Sequence, residues 1–262
     1  MEKRYCVLVA CMMAFLCLLF ACQKDDGVMG GEDTRLPIDL SGEIDQVMLS
    51  RVNDGGFCDK DVIGVYIVDY EGGKPGELKL EGNRASNVQF TYNEANNKWS
   101  GAYDIYWKDS KTPIDVYGYY PWNSQESIGE YAFEVQKDQS KAGENGNLGG
   151  YEASDFLWGK AEEVAPSTKV IRLAFRHKMS TARVTLVEGE GFAEGEWTGL
   201  EKQVLGTNTK RKALIDLKTG NVTATGTVAI TGTIPYQKDG EFRAIVVPQE
   251  ISTGTELFKI TV

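Results

Sequence analysis

This chain of 262 residues contains a single histidine, His177. A metal site built on two histidines is closed to one copy of it, and a Ser/His/Asp triad would have to use His177. Ser180 is close in sequence, but no Gly-x-Ser-x-Gly turn is present to hold a strained, exposed nucleophile. His177 therefore reads as a hydrogen-bonded residue at a strand kink. Cysteine is almost missing beyond the start of the chain. Cys6, Cys11, Cys17 and Cys22 are crowded into the first 22 residues, and only Cys58 follows. With Cys22 modified, no intrachain disulfide can form in the mature protein, and Cys58 reads as a small core residue or a free thiol.

Positive charge is also scarce. There are 28 Lys and Arg against 38 Asp and Glu, a formal net charge of -10. Removing residues 1–21, with Glu2, Lys3 and Arg4, makes the remainder one unit more acidic. That balance argues against nucleic acid and against adsorption on an anionic membrane. No Gly-x-Gly-x-x-Gly or other phosphate loop occurs. Glu188, Glu190, Glu194 and Glu196 lack EF-hand spacing and read as a solvated acidic turn. No cofactor, metal site or catalytic residue is expected. A convincing amphipathic helix is missing as well.

What the sequence does have is alternation. In Val170–Val187, Ile171, Leu173 and Phe175 carry one face, and beyond Met179 the parity changes to Ala182, Val184 and Leu186. A strand changes faces only through a bulge, a bend or a move to another sheet. The stretch is therefore expected to finish one β-sandwich, cross over near Lys178 to Thr181, and open a second. Val62 to Tyr70 reads as a buried strand, and Ile114 to Trp122, Val222 to Thr233, Phe242 to Val247 and several other runs read as further strands. Strands at this spacing with glycine turns indicate an all-β protein. The expected organisation is a leader over 1–21, a Gly- and Asp-rich linker over 22–35, one sandwich over 36–168 and another over 169–262. Phe258, Ile260 and Val262 end the chain in mid-pattern, so the second sandwich is expected to be short of strands at its C-terminus.

The leader is an export signal. Lys3 and Arg4 form its charged start, Tyr5 to Phe20 its apolar run, and Ala21 the small residue before Cys22. The run is short for a membrane span, which needs roughly 20 residues. Leu19-Phe20-Ala21-Cys22 resembles a lipobox, although Phe20 is bulky for its place. Leu8-Val9-Ala10-Cys11 fits the letters better but follows too short an apolar stretch. Cys22 is thus the expected lipid attachment site, with an ordinary secretory cleavage as the alternative. Gln23-Lys24-Asp25-Asp26 resembles the short signal that sends lipoproteins of Bacteroidetes to the outer face of the cell.

Tyr103, Tyr106, Trp107, Tyr117, Tyr119, Tyr120 and Trp122 form an aromatic-dense stretch. Because Tyr and Trp favour strands, core and cross-strand packing is the expected reading, with exposed coplanar rings stacking on sugars as the alternative.

Several stretches together resemble the fimbrillin family, the Mfa-like and FimA-like pilus subunits and anchor lipoproteins of Bacteroidales. Phe57 to Tyr66 (FCDKDVIGVY) is similar to that family's F-x-x-G-D-x-I-G-V-Y, with Lys60 in place of the glycine. Asp115 to Trp122, Val135 to Ser140 (VQKDQS), Ser154 to Trp158, Leu173 to Ser180 and Val246 to Gln249 match further landmarks in order. The resemblance implies two tandem transthyretin-like β-sandwiches in a surface-exposed outer-membrane lipoprotein. It implies a role as a stalk, tip or anchor component of a type V-like pilus serving adhesion, without enzyme activity. Its partners would be other fimbrillin subunits and, through the N-terminal lipid, the outer membrane. It further implies cleavage after an arginine, release of the first strand, and replacement of that strand by one from a neighbouring subunit. Arg51 stands at the matching position; the alternatives are that it is an ordinary loop arginine or that Arg35 is cut instead. A surface glycan-binding lipoprotein using the patch from Tyr103 to Trp122 is the competing function.

Overall fold

Every residue of the strand Ile114–Tyr120 is buried, so this strand has core on both faces. The fold is arranged around it. The computed structural model describes residues 35–44, 56–124, 126–141, 143, 147–229 and 232–262. Residues 36–262 make one compact unit. In chain order the strands are β1 (Leu40–Ile44), β2 (Val62–Glu71), β3 (Lys74–Pro75), β4 (Ala85–Asn93), β5 (Lys98–Gly101), β6 (Ile114–Tyr120), β7 (Tyr131–Glu134) and β8 (Leu157–Val164). They continue as β9 (Ile171–His177), β10 (Ser180–Thr185), β11 (Gln203–Gly206), β12 (Lys212–Asp216), β13 (Asn221–Thr225), β14 (Tyr236–Lys238), β15 (Glu241–Val246) and β16 (Phe258–Thr261). Helix among the described residues amounts to a 3-10 turn at Glu152–Ser154 and a single turn, α1, at Glu196–Gly199. The protein is all-β in class.

The largest sheet runs β1-β9-β8-β6-β2-β4-β5, with β3 paired to β2. Its two ends meet. Ahead of β1, Ile38 N–H donates to the Ile105 carbonyl (2.8 Å), and Trp107 N–H donates to the Leu36 carbonyl (2.9 Å), beyond β5. The sheet thus curls around an apolar core containing Ile63, Val65, Ile67, Val116, Leu173 and Phe175. Alternate residues of β2 and β6 point the other way. Tyr66, Val68, Tyr117 and Tyr119 pack into a second core with Tyr131 and Phe133 of β7, Ile215 of β12 and Ile245 of β15. That core is completed by the sheets β13-β12-β7 and β10-β15-β14, while β11 and β16 form a separate pair.

The change of sheet expected within Val170–Val187 is present. β9 lies in the large sheet with Ile171, Leu173 and Phe175 buried, and β10 pairs with β15 in another sheet. Val184 and Leu186, expected in the core, are half-buried instead. β10 is flanked by a partner on one side only, so its apolar face is less covered. The expected strand Val222–Thr233 is also shorter: β13 ends at Thr225, before Gly226, whose φ of 76° lies in the left-handed region.

Candidate functional site

β1 is placed at one end of the large sheet and forms its ladder with β9 alone. The pairing is parallel and runs from Leu40 opposite Ile171 to Ile44 opposite Phe175. Ile171 N–H donates to the Asp39 carbonyl (2.9 Å) at its start. The even-numbered residues point inward. Ile38 and Leu40 are buried in the first core, and Ile44 is half-buried against it. Each full burial of such a side chain is worth about 1.5–3 kcal/mol. Gly42 completes the inward row. A Cβ there would lie 3.0 Å from Phe175 Cε2 and 3.3 Å from Trp99 Nε1. Phe175 in turn is met from the opposite side by Gly118 of β6, where a Cβ would come within 2.7 Å of its ring. The phenyl ring therefore fills space that two glycines leave open. Trp99 is buried, and its indole N–H has no hydrogen-bond partner among the described residues.

The turn that leads into β2 covers one side of this region. The Phe57 ring packs against Trp99 (4.8 Å between centroids), Phe175 (5.4 Å) and Tyr120 (5.8 Å). Asp61 fixes the turn: its carboxylate accepts from Cys58 N–H (2.7 Å) and from the Tyr120 hydroxyl (2.9 Å). Lys60 takes a φ of 67°, a conformation that suits the glycine of the F-x-x-G-D pattern. Gly64 then allows the Tyr119 ring to cross β2, since a Cβ would stand 2.2 Å from it. The cluster of motif residues is thus a packing device around β2 and β6.

Arg51 and Cys22, the expected processing and lipid sites, lie outside the described residues. The aromatic stretch does not form a platform. Trp107, Tyr117, Tyr119 and Tyr120 are buried, Tyr106 and Trp122 are half-buried, and only Tyr103 is exposed. Tyr117 and Tyr119 face one core and Tyr120 the other, because consecutive strand residues point to opposite faces. The coplanar surface that sugar stacking needs is therefore not present there.

His177 Nδ1 lies 2.8 Å from Asp155 Oδ1, with both side chains buried. Ser180 is exposed. Asp115 is buried and engaged by the Glu163 N–H (2.9 Å) and the Lys160 ammonium (3.2 Å). Burial pulls the Lys160 pKa down, but its bonds to Glu162, Tyr117 and Asp115 outweigh this and raise it above the ordinary lysine value. Among the described residues no group of three or more His, Cys, Asp or Glu could hold a metal ion. The acidic turn at Glu188 to Glu196 is exposed, and Glu196 accepts a bond from Ala193 N–H (2.8 Å).

Sequence reasoning missed Gln139. This residue is wholly buried and bonds Ile245 through its side chain while its own N–H donates to the Ile234 carbonyl (2.8 Å). A lone polar residue in a loop has no periodicity to reveal it; its place in the VQKDQS landmark was the one available signal.

A closed β-sheet with a glycine-centred first strand is the class of structure found here. The model of the fimbrillin-like family matches residues 50–262, and the chain belongs to that family. β1 precedes the matched part. Among solved structures, a candidate cell adhesion protein from Bacteroides uniformis is similar, with TM-score 0.60 and 18% identity, covering 87% of this chain and 79% of that one. A second candidate cell adhesion protein, from Bacteroides ovatus, has TM-score 0.61 and 15% identity, covering 83% of this chain and 80% of its own. At these identities the likeness is one of fold. No curated protein matches the chain.

Proposed function

We propose that this protein is a non-enzymatic subunit or anchor of a surface fimbria serving adhesion, assembled by exchange of β1 for a strand of a neighbouring subunit. The observation that carries this reading is the placement of β1. It is an end strand with one ladder, it precedes Arg51, and it lies ahead of the family-matched residues. Cleavage after Arg51 would leave β1 held by non-covalent contacts only. Its departure would open an apolar site with Phe175 and Trp99 at the centre and an unpaired edge on β9. Such an edge is a template for another strand. Membership of the fimbrillin-like family and likeness to candidate adhesion proteins support the surface location. Lipid on Cys22 would tether the uncut chain to the outer membrane. In this reading the curled large sheet with its first core is one transthyretin-like sandwich, and the strands from β10 onward, joined by β7, build the other.

Mass spectrometry of the N-terminus of protein taken from cells tests both processing steps. The expected species are a chain starting at lipidated Cys22 and a chain starting at Val52. Palmitate label should enter the wild type and be lost in Cys22→Ala. Label that persists in that variant moves the lipid to Cys11. An N-terminus that is never found after Arg51, or is found only after Arg35 and so ahead of β1, removes the exchange of β1 from the proposal.

A further inference from the structure

We infer that the β1 site selects its occupant by an absent side chain: it takes an extended segment of another subunit with the pattern aliphatic-x-aliphatic-x-Gly-x-aliphatic, running parallel to β9. This rests on the reading that β1 is exchangeable, and it specifies what can replace it. The chain's own β1 is the template. Ile38, Leu40, Gly42 and Ile44 form the inward row of Ile-Asp-Leu-Ser-Gly-Glu-Ile, and Asp39, Ser41 and Glu43 alternate with them. The ladder to β9 uses main-chain groups and cannot tell one sequence from another. Selection must come from the inward row. At Gly42 the free space ends at the Phe175 and Trp99 rings, 3.0 and 3.3 Å from a Cβ. A γ-branched or β-branched side chain has to displace a ring from a close-packed core. Phe175 cannot withdraw towards β6, because Gly118 already lets it approach that strand to contact distance.

The same pattern, with Val, Leu or Ile at every aliphatic place, recurs once in the second half of the chain with a different outward row. Val228-Ala229-Ile230-Thr231-Gly232-Thr233-Ile234 repeats the inward types and replaces the outward Asp, Ser and Glu by Ala, Thr and Thr. It therefore separates recognition of a pattern from recognition of one sequence.

The test uses the full chain with a site-specific protease sequence in place of residues 50–55. After cutting, fluorescent peptides of residues 36–44 and 228–234 are offered, with their Gly42→Val and Gly232→Val versions. Binding is read by anisotropy, and loss of the original β1 fragment by mass spectrometry. Both glycine peptides are expected to displace β1, and the valine peptides to bind roughly 10- to 100-fold more weakly. Phe175→Leu in the cut chain should recover part of that loss. Valine peptides that bind as well as glycine peptides overturn the inferred selection and leave strand exchange intact. Binding of the 36–44 peptide without the 228–234 peptide overturns the pattern. If β1 is never displaced by any peptide, the exchange reading fails, and this inference falls with it.

Discussion

The side-chain amide of Gln139 pairs with the peptide of Ile245 in both directions: its Nε2 donates to the Ile245 carbonyl and its Oε1 accepts from the Ile245 N–H, each at 2.8 Å. The amide thus takes the place of a missing strand beside β15. Residues 137–139 are bonded in turn to Ile234, where Ile234 N–H donates to the Lys137 carbonyl (2.9 Å). One side chain therefore joins the loop after β7 to the sheet β10-β15-β14. Gln139→Ala leaves two main-chain groups at Ile245 unpaired in the second core. Each such loss costs about 1–3 kcal/mol. We expect the variant to be destabilised by about 2–5 kcal/mol in denaturant titration. A change below about 0.5 kcal/mol, the range of an ordinary surface substitution, would show that water replaces the amide.

Phe175 carries the junction of β1, β6 and β9. It is fully buried and touches the positions of Gly42 and Gly118 from opposite sides. Phe175→Ala is expected to cost about 3–5 kcal/mol. The cavity should also loosen β1, so amide exchange in residues 40–44 should quicken more than in β12 or β15. Uniform quickening across the fold would refute the local link between this ring and the first strand.

The buried tyrosines set an alkaline limit. Burial raises the pKa of Tyr66, Tyr117 and Tyr151 above the ordinary tyrosine value. The folded state then holds these protons more tightly than the unfolded chain does. Their contribution is complete below the unfolded value of about 10 and is lost as pH rises beyond it. Stability should be flat with respect to these groups up to about pH 9 and fall above about pH 10. The Tyr66 hydroxyl is also buried without a hydrogen-bond partner among the described residues. Tyr66→Phe removes both liabilities. It should stabilise the protein by about 1 kcal/mol at neutral pH and move alkaline unfolding upward. A destabilised Tyr66→Phe would reveal a partner for the hydroxyl.

β9 was legible because alternation fixes which face of a strand is buried, and β2 and β6 because their unbroken apolar and aromatic runs suit strands covered on both faces. The position of β1 was not, since alternation names a face and leaves the neighbour open. Only the fold brings Leu40 beside Ile171 in parallel. Tyr117, Tyr119 and Tyr120 are core, as expected, but aromatic density did not reveal their division between two cores, because it is the same for a platform and for two cores sharing a sheet. β14 escaped notice although its turn was written in the sequence. Asp239 and Gly240, at φ 51° and 79°, form the two-residue connection from Lys238 to Glu241. The family landmarks proved structural: Asp61 ties Cys58 to Tyr120, and Gly64 admits Tyr119.

Lys60 is the point where this chain departs from its family's pattern, and the turn around it shows what that departure costs. Asp61 N–H donates to the Cys58 carbonyl (3.0 Å), closing a four-residue turn with Asp59 and Lys60 at its centre. Lys60 alone of the two has positive φ, at 67°, which is the type II arrangement. That turn favours glycine at the second central position, because a Cβ crowds the backbone there. For other residues the left-handed conformation costs about 1–2 kcal/mol. Lys60→Gly removes this strain but adds unfolded-chain entropy, about 0.4–1 kcal/mol in the opposite sense. The bond from Lys60 N–H to the Tyr92 carbonyl (2.9 Å) involves the main chain and survives the change. The net expectation is stabilisation by about 0.5–1 kcal/mol, seen as a higher denaturant midpoint with an unchanged slope. Lys60→Ala keeps the Cβ and should gain nothing, which isolates the backbone effect from the loss of the ammonium. Equal gains in the two variants would assign the effect to charge and remove strain at residue 60 as its cause.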